Sequence, residues 1–594
     1  MLSRISYILC TAIILYAAFV FYPKWNNKGP ETSLGWDAAT YYWYLPATFI
    51  YHDLKEQKFG DSIIDKYGFT PTYEPFVHES GNVVITYTSG LALMQLPAFA
   101  IAHVLAKPMG YPADGFSLPY QVAVQLWSLL AALVGLWYFR KLLLRYFSDT
   151  ATAISLLLLV FGTNYLNYTG VDVTLTHSWL FTIYTLLMLN AGNFYANPTA
   201  KYAIRIGLLT GLAILIRPSE MIAVLIPLAW GMNSILPAAI ASRFRFLLQH
   251  YKSVLLAVLC AVLVGSVQVL YWLYVTGKPL VYSYADKGFS WKDPHFFNYT
   301  LSYRSGWLVY TPLMFFVFAG LAVYLWKGKN RVAVISFFLL NYYIVAAWDV
   351  WWYGGMGGRA MVQSYAVVFL MIAALVEWLL TTRWIKWPVF AVMTVFAYVN
   401  IWFTYNAHRP DGLYDPTGMT EAYYWAVVGR FNVPFETCKL KDTDELYRGE
   451  PKNLQLIYSN GFENDTTASD VNPIAGNRSL YFHPYREYSP ELVFPFGKAE
   501  ADWVRATAKF KFMDEEWENW KMLQYVVGFI DNGEKIKSNM IRVNRFVNAG
   551  EATSVSFDVK LPDHAFDSVY VLFWNPGSKA TLKIDDIEIY SFEE

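Results

Sequence analysis

The chain has 594 residues, of which 55% are hydrophobic and only 15% charged, a balance that excludes an ordinary soluble protein and points to a membrane protein with a soluble appendage. Its 46 basic residues match its 46 acidic ones, so no excess charge speaks for nucleic acid, and none is expected as a partner. Cys10, Cys260 and Cys438 lie far apart and show neither metal-ligand spacing nor a disulfide pattern.

A membrane-crossing helix needs about 20 apolar residues. Candidates fall near residues 5–22, 119–139, 151–168, 173–193, 203–216, 219–236, 253–275, 306–326, 331–347, 361–380 and 387–405, which predicts a polytopic α-helical protein of about 11 transmembrane helices. The first run ends "CTAIILYAAFVFYPKW", with bulky aromatics where a cleavage site needs small residues, and reads as a retained anchor. A large first loop, residues 23–118, follows it. Within this loop residues 87–106, "YTSGLALMQLPAFAIAHVLA", are long enough to cross but carry Pro97 and His103. If that stretch stays on one side, Arg4 and the clusters Arg140, Lys141, Arg145; Lys201, Arg205; Arg243, Arg245, Lys252; Lys327, Lys329, Arg331; and Arg383, Lys386 all face the same compartment, the cytoplasm. It is therefore expected to be a juxtamembrane or re-entrant helix, with the N-terminus inside and the C-terminus outside. Residues 169–178, 217–220, 276–305 and 348–360 then join the first loop on the outer face. The spans carry almost no ionisable residue at mid-depth, which disfavours a transporter.

From about residue 440 the pattern changes to alternating strands such as "WVRATAKFKF", "SVSFDVKL" and "ATLKIDDIEIY", predicting an antiparallel all-β sandwich. The expected domains are 1–430 and 440–594. The closing "LKIDDIEIY" resembles the last strand of jelly-roll carbohydrate-binding modules, which implies sugar binding; a domain that covers or braces the membrane part fits as well.

Several polar residues stand out on the outer face. Asp37, in "GWDAATYYWYLPA", either caps a helix starting at Ala38 or serves a reaction. Asp172 and His177, in "YTGVDVTLTHSWLF", stand between two spans, either as a cap and a packed ring or as a functional pair. Arg217, in "LAILIRPSE", meets the outer face with Glu220 one turn on, its partner if no ligand is. Arg359 follows the glycine-rich "WWYGGMGG", and Arg304 lies in "LSYRSGW". Arginine at these places suits a phosphate, because its planar fork donates two parallel hydrogen bonds. Tyr41 and Trp352 represent aromatic clusters that either form an interface belt or line a cavity. A divalent cation held by Asp37, Asp172 and His177 is an option that no ligand spacing supports.

The layout of an N-terminal span, a large first outer loop with an acidic residue close behind it, a juxtamembrane helix and a span ending in basic residues resembles that of the GT-C glycosyltransferases, of the aminoarabinose and protein O-mannosyl transferase type. The likeness covers roughly residues 1–430 and is carried locally by "GWDAATYYWYLPA", "ITYTSGLALMQLPAFAIAH" and "WDVWWYGGMGGRAMVQ". It implies transfer of a sugar from a polyprenyl-phosphate donor, with inversion, to a lipid, glycan or protein acceptor outside a bacterial cytoplasmic membrane. Asp37 matches the acidic residue that binds or deprotonates the acceptor, and Asp172 a second acidic position. The family's usual acidic neighbour is missing, since Asp37 is flanked by Trp36 and Ala38. Two other classes stay open: a non-catalytic membrane module that binds or presents lipid-linked glycans, and a flippase, for which no internal repeat is seen.

Overall fold

The computed structural model describes all residues except 69–75, 466–467, 484–485, 498–500, 514–520 and 577–579. It comprises two compact units, Met1–Tyr414 and Asp415–Glu594, so the division falls upstream of the 430–440 interval suggested by the change in sequence pattern.

The first unit is helical: α1 (Leu2–Tyr16), α2 (Trp36–Tyr42), α3 (Tyr44–Phe49), α4 (Gly60–Tyr67), α5 (Gly90–Ala106), α6 (Leu118–Leu143), α7 (Asp149–Gly162), α8 (Thr176–Ala196), α9 (Ala200–Ile216), α10 (Leu225–Ala229) and α11 (Pro237–Gln249). Then come α12 (Tyr251–Thr276), α13 (Phe296–Leu301), α14 (Trp307–Tyr310), α15 (Phe316–Lys327), α16 (Arg331–Ala347), α17 (Tyr365–Leu380) and α18 (Lys386–His408). A two-residue hairpin, β1 (Phe76–Val77) and β2 (Val83–Val84), interrupts the first loop.

Among the described residues, five helices are long and apolar enough to cross a membrane: Leu2–Asn26, Leu118–Leu143, Tyr251–Thr276, Arg359–Leu380 and Lys386–His408. Five more apolar helices are shorter. Two expected spans are broken. Residues 219–236 fold as a 3₁₀ turn, Pro218–Val224, followed by the short α10, and 306–326 are divided by Pro312 into α14, a 3₁₀ turn and α15. Proline lacks the N–H that continues a helix, so the second break sits where the Pro312 ring opens a new turn.

Local chemistry sets several ends. Ser148 caps α7 by accepting from the Ala151 N–H at 3.2 Å, and Arg140 and Lys141 occupy the last turn of α6, where cations suit the helix dipole. Helix α5 packs along only the first part of α6: the Trp127 indole donates to the Met94 carbonyl at 2.8 Å, and His103 meets the Tyr120 hydroxyl at 2.6 Å. It thus accompanies α6 in the reverse direction over the stretch nearest its N-terminus. Gly90 lets its start press on α9, where a Cβ would come within 2.4 Å of the Leu215–Ile216 backbone.

The second unit opens with α19 (Glu421–Val427), then folds β3 (Lys452–Asn460), β4 (Leu480–Phe482), β5 (Leu492–Pro495), β6 (Trp503–Phe512), β7 (Gln524–Asp531), β8 (Glu534–Arg542), β9 (Ala552–Lys560), β10 (Ser568–Trp574) and β11 (Leu582–Glu593). They form two antiparallel sheets, β5-β10-β7-β8 and β3-β11-β6-β9, with β4 beside the first part of β11. Alternate residues of β6, Val504, Ala506, Ala508, Phe510 and Phe512, enter a core shared with Tyr525, Val527 and Phe529 of β7 and Val569, Val571 and Phe573 of β10. Strand β8 was not legible in sequence because it shows no sustained apolar alternation and only its last two residues are buried.

Asp415 and Asp442 tie the start of this unit to its sheets. Asp442 bonds Arg542 at 2.6 Å and Arg545 at 2.8 Å, while Asp415 bonds Arg545 at 2.7 Å. Burial favours the neutral form of Asp415, but Lys441, Arg545 and Arg542 outweigh it and hold its carboxyl below the usual range. A carboxylate with a depressed folded pKa stabilises fully above its unfolded value, about 4, and loses that contribution as pH falls through the folded one. Asp442→Ala leaves two buried guanidiniums without their shared partner and is expected to cost about 3–5 kcal/mol, read as a lower unfolding midpoint of this unit in the full chain. Asp415→Asn should flatten the acid limb of that midpoint.

Candidate functional site

Asp37 stands in the first turn of α2 and makes no capping bond, Gly35 being the N-cap. Gly35 is forced: a Cβ there would fall 1.8 Å from the Pro30 carbonyl oxygen. Trp36 takes a left-handed φ of +50°, a conformation a bulky residue adopts only when its surroundings impose it. The turn directs the buried Asp37 carboxylate inward. There Oδ2 accepts from Arg359 Nη2 at 2.7 Å, and Oδ1 accepts from the Tyr87 hydroxyl at 3.2 Å.

Arg359 opens the turn Arg359–Ser364 that leads into α17. Gly358 before it has φ +69°, and a Cβ there would meet Trp307 at 2.7 Å. The guanidinium lies 4.4 Å from the Tyr353 ring centre, so an ion pair and an aromatic face fix it together.

One turn beyond Asp37, the Tyr41 hydroxyl accepts from Arg217 Nε at 3.4 Å, and its ring stacks on Tyr87 with centroids 4.5 Å apart. Arg217 caps the C-terminal end of α9. Its Nη atoms have no hydrogen-bond partner among the described residues. Glu220 does not pair with it: that carboxylate accepts from the Tyr184 hydroxyl and from Gln363 Nε2, the latter at 3.1 Å. Gln363 in turn meets His177 Nδ1 through its carbonyl oxygen at 2.8 Å. His177 lies within electrostatic range of Arg217, Arg359 and Asp37. The fold thus gathers Asp37, Tyr41, Arg217 and Arg359 around one centre, with His177 and Glu220 in its wall.

Asp172 goes elsewhere. It follows the wide turn Asn167–Val171, which places Asn167 Nδ2 2.9 Å from Oδ2, and Lys24 Nζ lies 2.5 Å from Oδ1. Asn167 also meets His408 at 2.5 Å. Burial alone raises the Asp172 pKa, but Lys24, His408 and Asn167 bring it down to about 2. Among the described residues no group of three or more His, Cys, Asp or Glu is placed to hold a metal ion, so Asp37, Asp172 and His177 form no ligand set. Arg304 stacks on Trp352 at 4.8 Å, and the next residue, Ser305, accepts from the Gly358 N–H at 3.1 Å. That pair borders the loop carrying Arg359 rather than reaching Asp37.

Tyr87, Gln363, Tyr184 and Lys24 were not singled out in sequence. Tyr87 and Gln363 do fall inside "ITYTSGLALMQLPAFAIAH" and "WDVWWYGGMGGRAMVQ", but nothing in spacing separates them from their neighbours.

No family model and no curated protein matches the chain. Solved structures similar to it include the Archaeoglobus fulgidus oligosaccharyltransferase in the apo form, at 13% identity and TM-score 0.39, covering 76% of this chain and 62% of that one. Another is the arabinosyltransferase EmbB from Mycobacterium smegmatis, at 12% identity and TM-score 0.38, covering 98% of this chain and 64% of that one. A third is a family 16 carbohydrate binding module, at 14% identity and TM-score 0.15, covering 22% of this chain and 92% of that one. The chain therefore spans less than two thirds of either transferase, and likeness at this level carries no argument about substrate.

Lys24→Met strips the buried Asp172 of its cation and should lower thermal stability by about 3–5 kcal/mol, measured by the unfolding midpoint in detergent. The wild-type pair keeps its full contribution above pH ~4 and loses it as pH falls toward 2, so the Lys24→Met deficit should shrink in acid.

Proposed function

We propose that the chain is an integral-membrane glycosyltransferase that moves a sugar from a polyprenyl-phosphate-linked donor to an acceptor hydroxyl on the extracytoplasmic face. The observation that carries this reading is one centre holding a buried, oriented carboxylate, Asp37, beside an arginine, Arg217, whose Nη donors are unused. The α8 start and the α9 end that carry His177 and Arg217 are opposite in the helices to the ends that carry basic clusters, such as Lys201 and Arg205 at the start of α9. Under the positive-inside rule this favours an outward-facing site. The second unit would then be an extracytoplasmic sandwich of carbohydrate-binding-module type.

In the step we propose, the acceptor oxygen attacks the anomeric carbon from the face opposite the phosphate. The C–O bond to phosphate breaks with its electron pair on the leaving oxygen, and the acceptor proton passes to Asp37. Each carboxylate oxygen has two lone pairs, so Asp37 keeps acceptor capacity while Arg359 and Tyr87 hold it in place. Arg217 meets the charge that develops on the phosphate, with a fork that stays protonated throughout. Arg359, engaged with Asp37, orients the base rather than the phosphate, and Asp172 braces the neighbouring turn through Lys24.

Asp37→Asn should cut transfer of labelled sugar in membranes containing folded protein by about 10²- to 10⁴-fold; unchanged transfer would remove Asp37 as base, whereas no transfer by the wild-type chain would favour a non-catalytic glycan-presenting module. Arg217→Met should lower kcat by about 10²- to 10³-fold, the usual effect of losing one electrostatic donor.

A further inference from the structure

The chain Tyr184, Glu220, Gln363, His177 contains a constraint that the transfer step above does not use. All four side chains are buried, and they connect in one line: Tyr184 hydroxyl to Glu220 Oε2, Gln363 Nε2 to Glu220 Oε1 at 3.1 Å, and Gln363 Oε1 to His177 Nδ1 at 2.8 Å. With Glu220 ionised the amide lies one way, because turning it over would set its carbonyl oxygen against a carboxylate oxygen, two acceptors without a proton between them. With Nε2 committed to Glu220, the carbonyl oxygen faces His177 Nδ1. That nitrogen must therefore carry the hydrogen, and in the neutral ring the other nitrogen, Nε2, is left with a lone pair.

His177 Nε2 has no hydrogen-bond partner among the described residues, yet it is not one of the fully enclosed unpaired atoms of the interior. The ring packs against Tyr168 at 4.7 Å and shares electrostatic range with Arg217, Arg359 and Asp37. A buried acceptor left open beside such a centre costs free energy unless a donor reaches it.

We propose that Gln363, braced by Glu220, is a positioning residue that locks His177 as the Nδ1–H tautomer, so that its Nε2 accepts a hydrogen bond from a hydroxyl of the bound carbohydrate. The tautomer follows from these contacts with Glu220 ionised; the carbohydrate hydroxyl rests on the glycosyltransferase reading. His177 thereby becomes a determinant of substrate affinity, and Gln363 acts only through it.

The test uses the full chain in lipid nanodiscs with ¹⁵N-labelled histidine, nine residues in all. The His177 resonances are identified as those lost in His177→Gln or His177→Asn, and the wild type should show Nδ1 protonated and Nε2 bare. Gln363→Met, close in volume but without the amide, should turn this into a mixture of tautomers. Nε2–H in the wild type, or no change in Gln363→Met, overturns the positioning claim; the wild-type reading decides alone if that variant does not fold. In transfer assays His177→Phe and Gln363→Met should raise KM by about tenfold, the worth of one hydrogen bond of about 1.4 kcal/mol, with kcat within about threefold, and His177→Gln should recover part of the loss by keeping an acceptor. An unchanged KM in His177→Phe overturns the hydroxyl contact while leaving the tautomer result standing. If the wild-type chain transfers no sugar, the transferase assignment fails independently of both.

Discussion

A carboxylate taken out of water needs an opposite charge or several donors beside it, and the ion pair between Asp37 and Arg359, separated by 322 residues in sequence, meets that requirement at the centre of the helical unit. Much else in the unit serves to bring these two groups together. Gly35 and the left-handed Trp36 turn α2 so that Asp37 faces inward. Gly358 lets the backbone pass Trp307 closely enough for Arg359 to meet it. These three residues decide where the charge lies.

The pair also changes how the arginines divide their work. Arg359 neutralises Asp37, whereas Arg217 meets a tyrosine hydroxyl and its outer donors have no hydrogen-bond partner among the described residues. Glu220 would have quenched Arg217 had the two side chains met. It is drawn away by Tyr184 and Gln363, and this leaves a cation available beside a buried anion. Desolvation strengthens both fields, because water does not screen them.

The aromatic residues serve packing more than display. Tyr41 stacks on Tyr87, and the Tyr44 hydroxyl donates to the Tyr87 carbonyl at 2.7 Å. Tyr42 and Trp43 lie in the core of the first loop with Phe59 and Phe116. Three of the four consecutive aromatics after Thr40 are thus engaged away from Asp37, and only Tyr41 reaches Arg217.

Hydropathy and alternation were enough to read a helical unit with helices long and apolar enough to cross a membrane and a C-terminal pair of β-sheets, because long apolar runs and period-two alternation are properties of local sequence. Asp37, Arg217 and Arg359 also stood out, since isolated charges in apolar text are costly and few. What sequence did not determine was partnership. Glu220 is one turn from Arg217 and does not pair with it, and Asp172 resembles Asp37 in setting yet binds Lys24. A helix that ends at Ala229 and a break at Pro312 shortened spans that composition alone made continuous. These outcomes depend on side-chain direction and on contacts between segments hundreds of residues apart, which only the tertiary packing of helix ends decides.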